Sequence, residues 1–279
     1  MGQQMKSRLE VTGIYLILAI VFVVIFYPLI WTVGMSLNEG SSLYSSSIIP
    51  ENFSLEHYMW LFSSESNYLT WYKNSLIVST FTAAGSVILT SLVAYAFSRY
   101  EFVGRKNGLY VFLLLQMFPV MMAMVALYIF LNMIGMLDTL SGLILIYLGG
   151  QIPFNAWLVK GYFDTIPREL DQAARIDGAG HLRVFFSIML PLAKPILAVV
   201  ALFNFMMPMF DFLLPSIVLS SEAKYTLAVG LFNFINDQFA NNFTRFAAGS
   251  VLVAVPIAAI YLFLQRYLIS GLTAGGSKG

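Results

Sequence analysis

The sequence predicts an all-α integral membrane protein of six transmembrane helices with both termini in the cytoplasm, and three observations carry that prediction. Of its 279 residues, 59% are hydrophobic and only 10% are charged, with a mean hydropathy of +0.79. Soluble domains carry about 25% charged residues, so this chain has too little polar surface to dissolve. Six windows are empty, or nearly empty, of Asp, Glu, Lys and Arg, and each reaches the length of about 20 residues that an apolar helix needs to cross the hydrocarbon core. The basic residues between those windows are split unevenly, twelve on one side and three on the other.

The windows define spans of roughly 12–36, 75–98, 108–132, 139–159, 195–219 and 246–267. No charged residue occurs from Val11 to Asn38, from Asn74 to Ser98, from Asn107 to Leu137, from Thr139 to Val159 or from Phe246 to Gln265. The fifth window, Pro195 to Ser221, holds one, Asp211. Lys6 and Arg8 ahead of the first span suit a signal peptide, but its apolar run is too long and no small-x-small cleavage site follows. It is read as a permanent first helix. Pro28, Pro119, Pro153, Pro208, Pro215 and Pro256 lie within or at the ends of spans and predict kinks whose freed carbonyls neighbouring helices satisfy.

Orientation follows from the positive-inside rule. Lys6, Arg8, Arg99, Arg105, Lys106, Lys160, Arg168, Arg175, Arg183, Lys194, Arg266 and Lys278 share the side of the N-terminus, against Lys73, Lys224 and Arg245 on the other. The whole chain, 1–279, is one transmembrane domain with a long cytoplasmic loop at 161–194.

Composition excludes several functions. A net charge of +1 without a basic patch argues against a nucleic-acid partner. The absence of Cys removes disulfides, thiolate metal sites and Cys nucleophiles. His57 and His181 lack the carboxylate spacing of a metal site and read as loop histidines. No Gly-x-x-x-x-Gly-Lys-Ser/Thr phosphate loop, Gly-x-Ser-x-Gly elbow or His-Glu-x-x-His motif occurs. The chain therefore reads as a non-enzyme without a cofactor of its own.

Two external loops hold features that suit either a partner outside the membrane or plain solvation. The first, roughly 39–72, is rich in Ser, Tyr and Trp with Glu51, Glu56 and Glu65. The last, roughly 220–245, gathers Asn233, Asn236, Asp237, Asn241 and Asn242 among aromatics.

The 161–194 loop is composed like structure rather than linker. Pro167 suits a first helical turn, Glu169 and Asp171 favour the positive helix end, and Gly178 and Gly180 offer a stop. A second short helix then carries Leu182, Phe185, Phe186 and Met189 at helical spacing, with Pro191 as its end. Such a helix–turn–helix, with the small residues Ala173 and Ala174 on its first helix, either seats in another protein's groove or lies along the membrane surface.

The residues Ala173-Ala174, Gly178, Ile188 and Leu190-Pro191 resemble the signature of binding-protein-dependent ABC importer permeases: Glu-Ala-Ala, three residues, Gly, nine residues, Ile, one residue, Leu-Pro. Gln172 stands where that family has Glu and so lacks the charge for a salt bridge there. The resemblance extends over most of the chain and is closest to the second permease of maltose/maltodextrin-type importers. The tail from Gly271 resembles that subfamily's Gly-Leu-Thr-Ala-Gly ending, and Asp211-Phe212 its Trp-Asn-Asp/Glu-Phe segment, with Met209 and Phe210 replacing the Trp and Asn.

The resemblance implies a type I ABC importer permease fold in a bacterial or archaeal cytoplasmic membrane. It implies that Gln172, Ala173, Ala174, Asp177 and Gly178 dock on a partner ATPase, and that Leu272, Thr273, Ala274, Gly275 and Gly276 reach the ATPase interface. The implied partners are a second, homologous permease, two ATPase subunits that bind ATP and Mg, and an extracytoplasmic solute-binding protein. The carbohydrate assignment rests on the resemblance alone. Asp211, the only ionisable residue inside a span, reads as a pathway or gate residue, or as a structural hydrogen-bonding group. Gln116, Asn132, Asn155 and Asn204 either line a route or join helices. A self-sufficient secondary transporter is the competing reading, but five of the six spans have no ionisable residue for an ion relay. An intramembrane enzyme lacks paired catalytic groups.

Overall fold

The computed structural model describes residues 2–41, 49–50, 52–236 and 242–276, with side chains described between 11 and 268. Glu51, Asp237, Asn241, Lys278 and the side chains of Lys6 and Arg8 lie outside the described residues. Among the described residues every regular element is helical, apart from one antiparallel bridge between Asn38 and Phe53.

In chain order the α-helices are α1 (Gly2–Ser36), α2 (Glu56–Leu61), α3 (Tyr68–Arg99), α4 (Gly108–Leu115), α5 (Val120–Met133) and α6 (Leu140–Thr165). They continue as α7 (Arg168–Ile176), α8 (His181–Val184), a π-helical turn at Phe185–Met189, α9 (Leu190–Leu192) and α10 (Lys194–Phe210). After these come α11 (Leu213–Val218), a 3₁₀ turn at Glu222–Lys224, α12 (Leu227–Asn233) and α13 (Phe243–Gly276). Four stretches are long and apolar enough to cross a membrane: Val11–Ser36, Tyr68–Arg99, Leu140–Thr165 and Phe243–Leu268. Two further pairs qualify together but are sharply bent, α4 with α5 by 93° and His181–Leu192 with α10 by 78°. By length and composition the described residues thus hold four candidate spans, or up to six if each bent pair crosses once.

The bends have chemical causes. Pro119 caps α5 in an extended conformation, because its ring fixes φ and it has no N–H to continue α4. Pro195, in the first turn of α10, cannot donate to the carbonyl of Pro191, and the chain turns at Ala193. The helix that Pro191 is predicted to end stops at Leu192, one residue beyond the proline, and contains the π-helical turn Phe185–Met189. The fifth predicted span, 195–219, is likewise broken, with α10 stopping at Phe210 and α11 starting at Leu213.

The chain divides into two compact units, one comprising Met1–Tyr68 with Leu231–Ala254 and the other Leu69–Gly230 with Val255–Gly279. In the first unit, α2 is fastened to the end of α1. The Tyr58 hydroxyl lies 2.8 Å from Ser36 Oγ, and buried His57 places Nε2 3.0 Å from the Asn38 carbonyl. Burial lowers the His57 pKa against the opposing pull of Glu56 and the Asn38 carbonyl. Arg245 stacks 4.0 Å over Trp60, which meets Phe234 edge-on. From Val11 to Ile30 nearly every side chain of α1 is exposed, so this apolar surface must be covered by lipid or protein.

In the second unit, α3 buries a row of small hydroxyl residues, Ser75, Ser79, Thr82, Ser86 and Thr90, at helical spacing. Small side chains of this kind let helix backbones approach closely in a bilayer, where no hydrophobic effect draws helices together. The N-terminal end of α3 is stitched to the segment after α11. Trp71 Nε1 donates to the Glu222 carbonyl at 3.0 Å, and Asn74 Nδ2 to those of Ala223 and Tyr225 at 3.0 and 2.9 Å. Gly230 completes the seam, since a Cβ there would lie 2.1 Å from the Trp71 ring. Asn155 and Asn204 face each other at 3.1 Å, buried between α6 and α10, and so join helices.

Asp138, between α5 and α6, gathers a polar knot from the α11 side. Its Oδ1 accepts from the Ser220 and Ser221 amides at 2.9 and 3.1 Å, and its Oδ2 from the Ser221 hydroxyl and Lys224. Its backbone is left-handed, at φ 53°, a conformation that aspartate tolerates better than most residues. Burial pushes its carboxyl up, but the hydrogen bonds from Ser221, Ser220 and Lys224 outweigh burial and hold it well below the usual carboxylate range. A carboxyl depressed in the folded state stabilises above its unfolded value and loses that contribution as pH falls. Thermal unfolding in detergent should therefore show stability dropping as pH falls below the ordinary value of 3.8. The Asp138→Asn variant should lose about 1.5–3 kcal/mol at neutral pH and show a flatter acid limb.

Candidate functional site

The 161–194 segment folds into a hairpin built from the end of α6, α7 and the α8–α9 helix. Ile166 is extended and Pro167 caps α7 rather than occupying its first turn. The extended backbone follows from the restriction that a proline places on the residue before it. Asp171, predicted as an acid serving the helix end, is instead turned inward, 5% exposed and ion-paired with Arg99 at the end of α3. Arg99 also donates to the Ile166 carbonyl at 2.9 Å and to Ser98 Oγ at 3.0 Å. Arg168 reaches the Ser98 carbonyl at 3.3 Å, and Ser98 donates to Asp164 at 2.7 Å. The root of the hairpin is thus a network of charges spanning α3, α6 and α7. The sequence signal for it was the lone arginine closing the second charge-free window.

The C-terminus of α7 is a Schellman turn. Gly178 has φ +82°, its N–H donates to Arg175 O at 3.0 Å, and the Ala179 N–H donates to Ala174 O at 2.9 Å. A Cβ at Gly178 would meet nothing within 4 Å. The glycine is required by backbone conformation and opens onto free space.

The second helix is held by Val184, Phe185 and Met189, buried with Ala94, Tyr95, Val159, Phe163, Ala193 and Val200. The predicted apolar face of Leu182, Phe185, Phe186 and Met189 is corrected by the structure: Leu182 and Phe186 are 71% and 61% exposed. Leu182 and Phe186, four residues apart, share the outward face, while the buried face is centred on Val184, Phe185 and Met189. His181 stacks on Tyr100 with ring centroids 4.5 Å apart and lies 3.0 Å from an Arg175 nitrogen.

Gln172, Ala173, Asp177 and Gly178 are exposed together, while half-buried Ala174 packs against the core cluster. Ile176, 87% exposed, stands beside them. The hairpin therefore presents a surface of small, polar and uncovered apolar groups on a rigidly held base, suited to insertion into a groove. Asp211 lies elsewhere, at the break between α10 and α11. It accepts from the Tyr147 hydroxyl at 2.8 Å and from the Leu213 and Leu214 amides at 3.0 and 3.4 Å. Its carboxylate caps α11 and ties that helix to α6. Leu272 to Gly276 form the final turns of α13, with their side chains outside the described residues.

Residues 86–273 match the family described as binding-protein-dependent transport system inner membrane component. The galactooligosaccharides transport system permease protein GanQ of Bacillus subtilis is 50% identical over 95% of this chain and 94% of its own length. The maltodextrin transport system permease protein MdxG of the same organism is 47% identical over 95% of both chains. The maltose/maltodextrin transport system permease protein MalG of Escherichia coli K12 is 38% identical over 98% of this chain and 97% of its own length. A bacterial ABC transporter chain involved in alginate import shares the fold, with a TM-score of 0.80 at 24% identity over 94% of this chain and 97% of its own length.

The ion pair at the root of the hairpin yields a direct prediction. Asp171→Ala strands a buried guanidinium and should cost about 3–5 kcal/mol. Arg99→Met with Asp171→Leu should cost clearly less, because no charge is left alone. Thermal unfolding gives both values, and limited proteolysis between residues 166 and 192 should show the hairpin loosened in the single variant only.

Proposed function

Because the chain belongs to the family of binding-protein-dependent transport system inner membrane components, of which residues 86–273 carry the match, we propose that it couples ATP hydrolysis by partner subunits to oligosaccharide import. It is the permease component of an ABC sugar importer. The solute is an oligosaccharide of the maltodextrin or galactooligosaccharide class, in line with relatives between 38% and 50% identical. The chain crosses the bacterial cytoplasmic membrane six times with both termini inside, each bent pair of helices counting as one span. It pairs with a second, homologous permease, and two ATPase subunits bind ATP and Mg on the cytoplasmic side. A solute-binding protein delivers the sugar outside.

The observation that carries this reading is the hairpin: an exposed, partly apolar tip on a base locked by buried charge. Gln172, Ala173, Ala174, Asp177 and Gly178 form its ATPase-facing side, with Ile176 beside them. Closure of the ATPase pair on ATP moves the docked tip. The network at Arg99 passes that movement to α3 and α6, and the bundle changes the side to which it opens. Leu272 to Gly276 extend the contact with the ATPase pair. Asp211 holds the α10–α11 break that such rearrangement bends about.

Two experiments on the reconstituted importer test these roles. Gly178→Glu adds a charged side chain into open space at the docking tip, and a non-glycine residue at positive φ costs about 1–2 kcal/mol. ATP-driven sugar uptake should fall at least about tenfold, a coupling loss of about 1.4 kcal/mol, with membrane insertion intact. Normal uptake would remove the coupling role. Truncation from Thr273 onward should weaken ATPase co-purification more than it lowers the unfolding temperature; unchanged association would make the tail dispensable.

A further inference from the structure

An open cavity of about 810 Å³ lies between the start of α4, the end of α6 and the first turn of α10. Arg105, Lys106 and Lys160 line it, and no carboxylate does. Lys160 has one counter-charge, Asp164 at 2.6 Å, which is shared with the Ser98 hydroxyl. Arg105 is held in place by Nε and Nη2, which donate to the carbonyls of Phe97 and Ser98 at 3.0 and 2.9 Å. Its remaining Nη1 is 3.9 Å from the largely exposed Glu101. Lys106 is exposed and forms no ion pair among the described residues. The cavity holds more positive charge than its neighbours neutralise.

Its depth in the membrane is readable from the chain. Lys160 is the first charge after the apolar window ending at Val159, and Lys106 the last before the window beginning at Asn107. The cations therefore sit where hydrocarbon gives way to headgroups. Tyr110, Trp157 and Tyr162 complete the walls, the aromatic types that collect at that level. Beyond them, α4 exposes Val111, Leu114 and Leu115 at 52%, 64% and 68%. A cationic pocket continuous with an apolar helix face suits a molecule with an anionic end and a hydrocarbon end. We infer that this cavity binds the phosphodiester headgroup of an anionic glycerophospholipid, with acyl chains lying along α4. Basic pockets between membrane helices bind such headgroups, and the volume falls in the range of ordinary ligand sites. This inference requires only that the chain spans a bilayer and is independent of the solute carried.

The test uses the assembled importer purified in mild detergent, stripped of lipid and supplied with equal phosphatidylglycerol and phosphatidylcholine. Native mass spectrometry counts the bound lipids. The wild-type complex should retain phosphatidylglycerol about tenfold over phosphatidylcholine, and Lys106→Glu, at an exposed position, should bring the ratio close to parity. Lys106→Gln with Lys160→Gln should do the same, while Lys73→Glu, away from the cavity, should leave the preference in place. Equal retention in the wild type and Lys106→Glu would overturn the inference. So would displacement of the lipid by millimolar inorganic phosphate, which would mark a soluble-anion site. A photocrosslinker at position 106 should capture lipid; capture of a second permease chain instead would identify a protein interface and also overturn it. None of these readouts depends on transport, so failure of the solute assignment leaves the result interpretable.

Discussion

The ion pair between Arg99 and Asp171 is the constraint on which the hairpin depends. Both groups are nearly sealed from water, with side chains 3% and 7% exposed. A buried charge is costly unless its partner and additional hydrogen bonds offset the loss of water. Arg99 offsets part of that cost by collecting the Ile166 carbonyl and the Ser98 hydroxyl along with the Asp171 carboxylate, whose Oδ1 is buried without a hydrogen bond among the described residues. The ends of α3 and α6 and the first turns of α7 are therefore one mechanical piece. Displacing α7 alone would strand a buried charge, and this holds the first arm of the hairpin to the end of α3. The apolar anchor of Val184, Phe185 and Met189 does the same for the second arm.

Elsewhere the fold alternates close packing with deliberate breaks. The small side chains of the hydroxyl row on α3 permit close packing, and the Asn155–Asn204 hydrogen bond joins α6 to α10, in surroundings where apolar side chains gain little by leaving lipid. The breaks at Pro119, Ala193 and Asp211–Phe212 free backbone groups, and no side chain caps the helix that follows at Pro119 or Ala193. At Asp211 the carboxylate receives the first amides of α11 and the Tyr147 hydroxyl, which accounts for an ionisable group within an apolar stretch. A break of this kind divides a span into two short rods with a defined joint. It is the geometry expected where a helix must bend while the rest of the bundle stays packed.

The structural role of Asp171 was hidden in the sequence because its neighbours suggested a nearer explanation. An acid in the first turn of a helix is favoured by the helix dipole wherever it points, and only the approach of α3 shows that this one faces inward. Phe186 illustrates a second limit. Its spacing from Leu182 matches an α-helical stripe, and the two do share a face, but that face points outward while Val184, Phe185 and Met189 are buried. Gly178, in contrast, was legible: a glycine after a short amphipathic run reads as a helix stop, and the backbone there is left-handed.

The sequence by itself determined the solvent of this protein, the approximate limits of its apolar stretches and the position of the hairpin. Those properties follow from local composition: the free energy of placing a charge in hydrocarbon is settled residue by residue, and helix stops are written in glycine and proline. The tertiary structure alone decided which charges are paired, which faces are buried and which cavity the loops enclose. Arg99 and Asp171 are 72 positions apart, and Arg105 and Lys160 meet around one cavity from opposite ends of two charge-free windows. Pairing at such separation is fixed by how helices pack, and packing depends on shapes that no local pattern encodes.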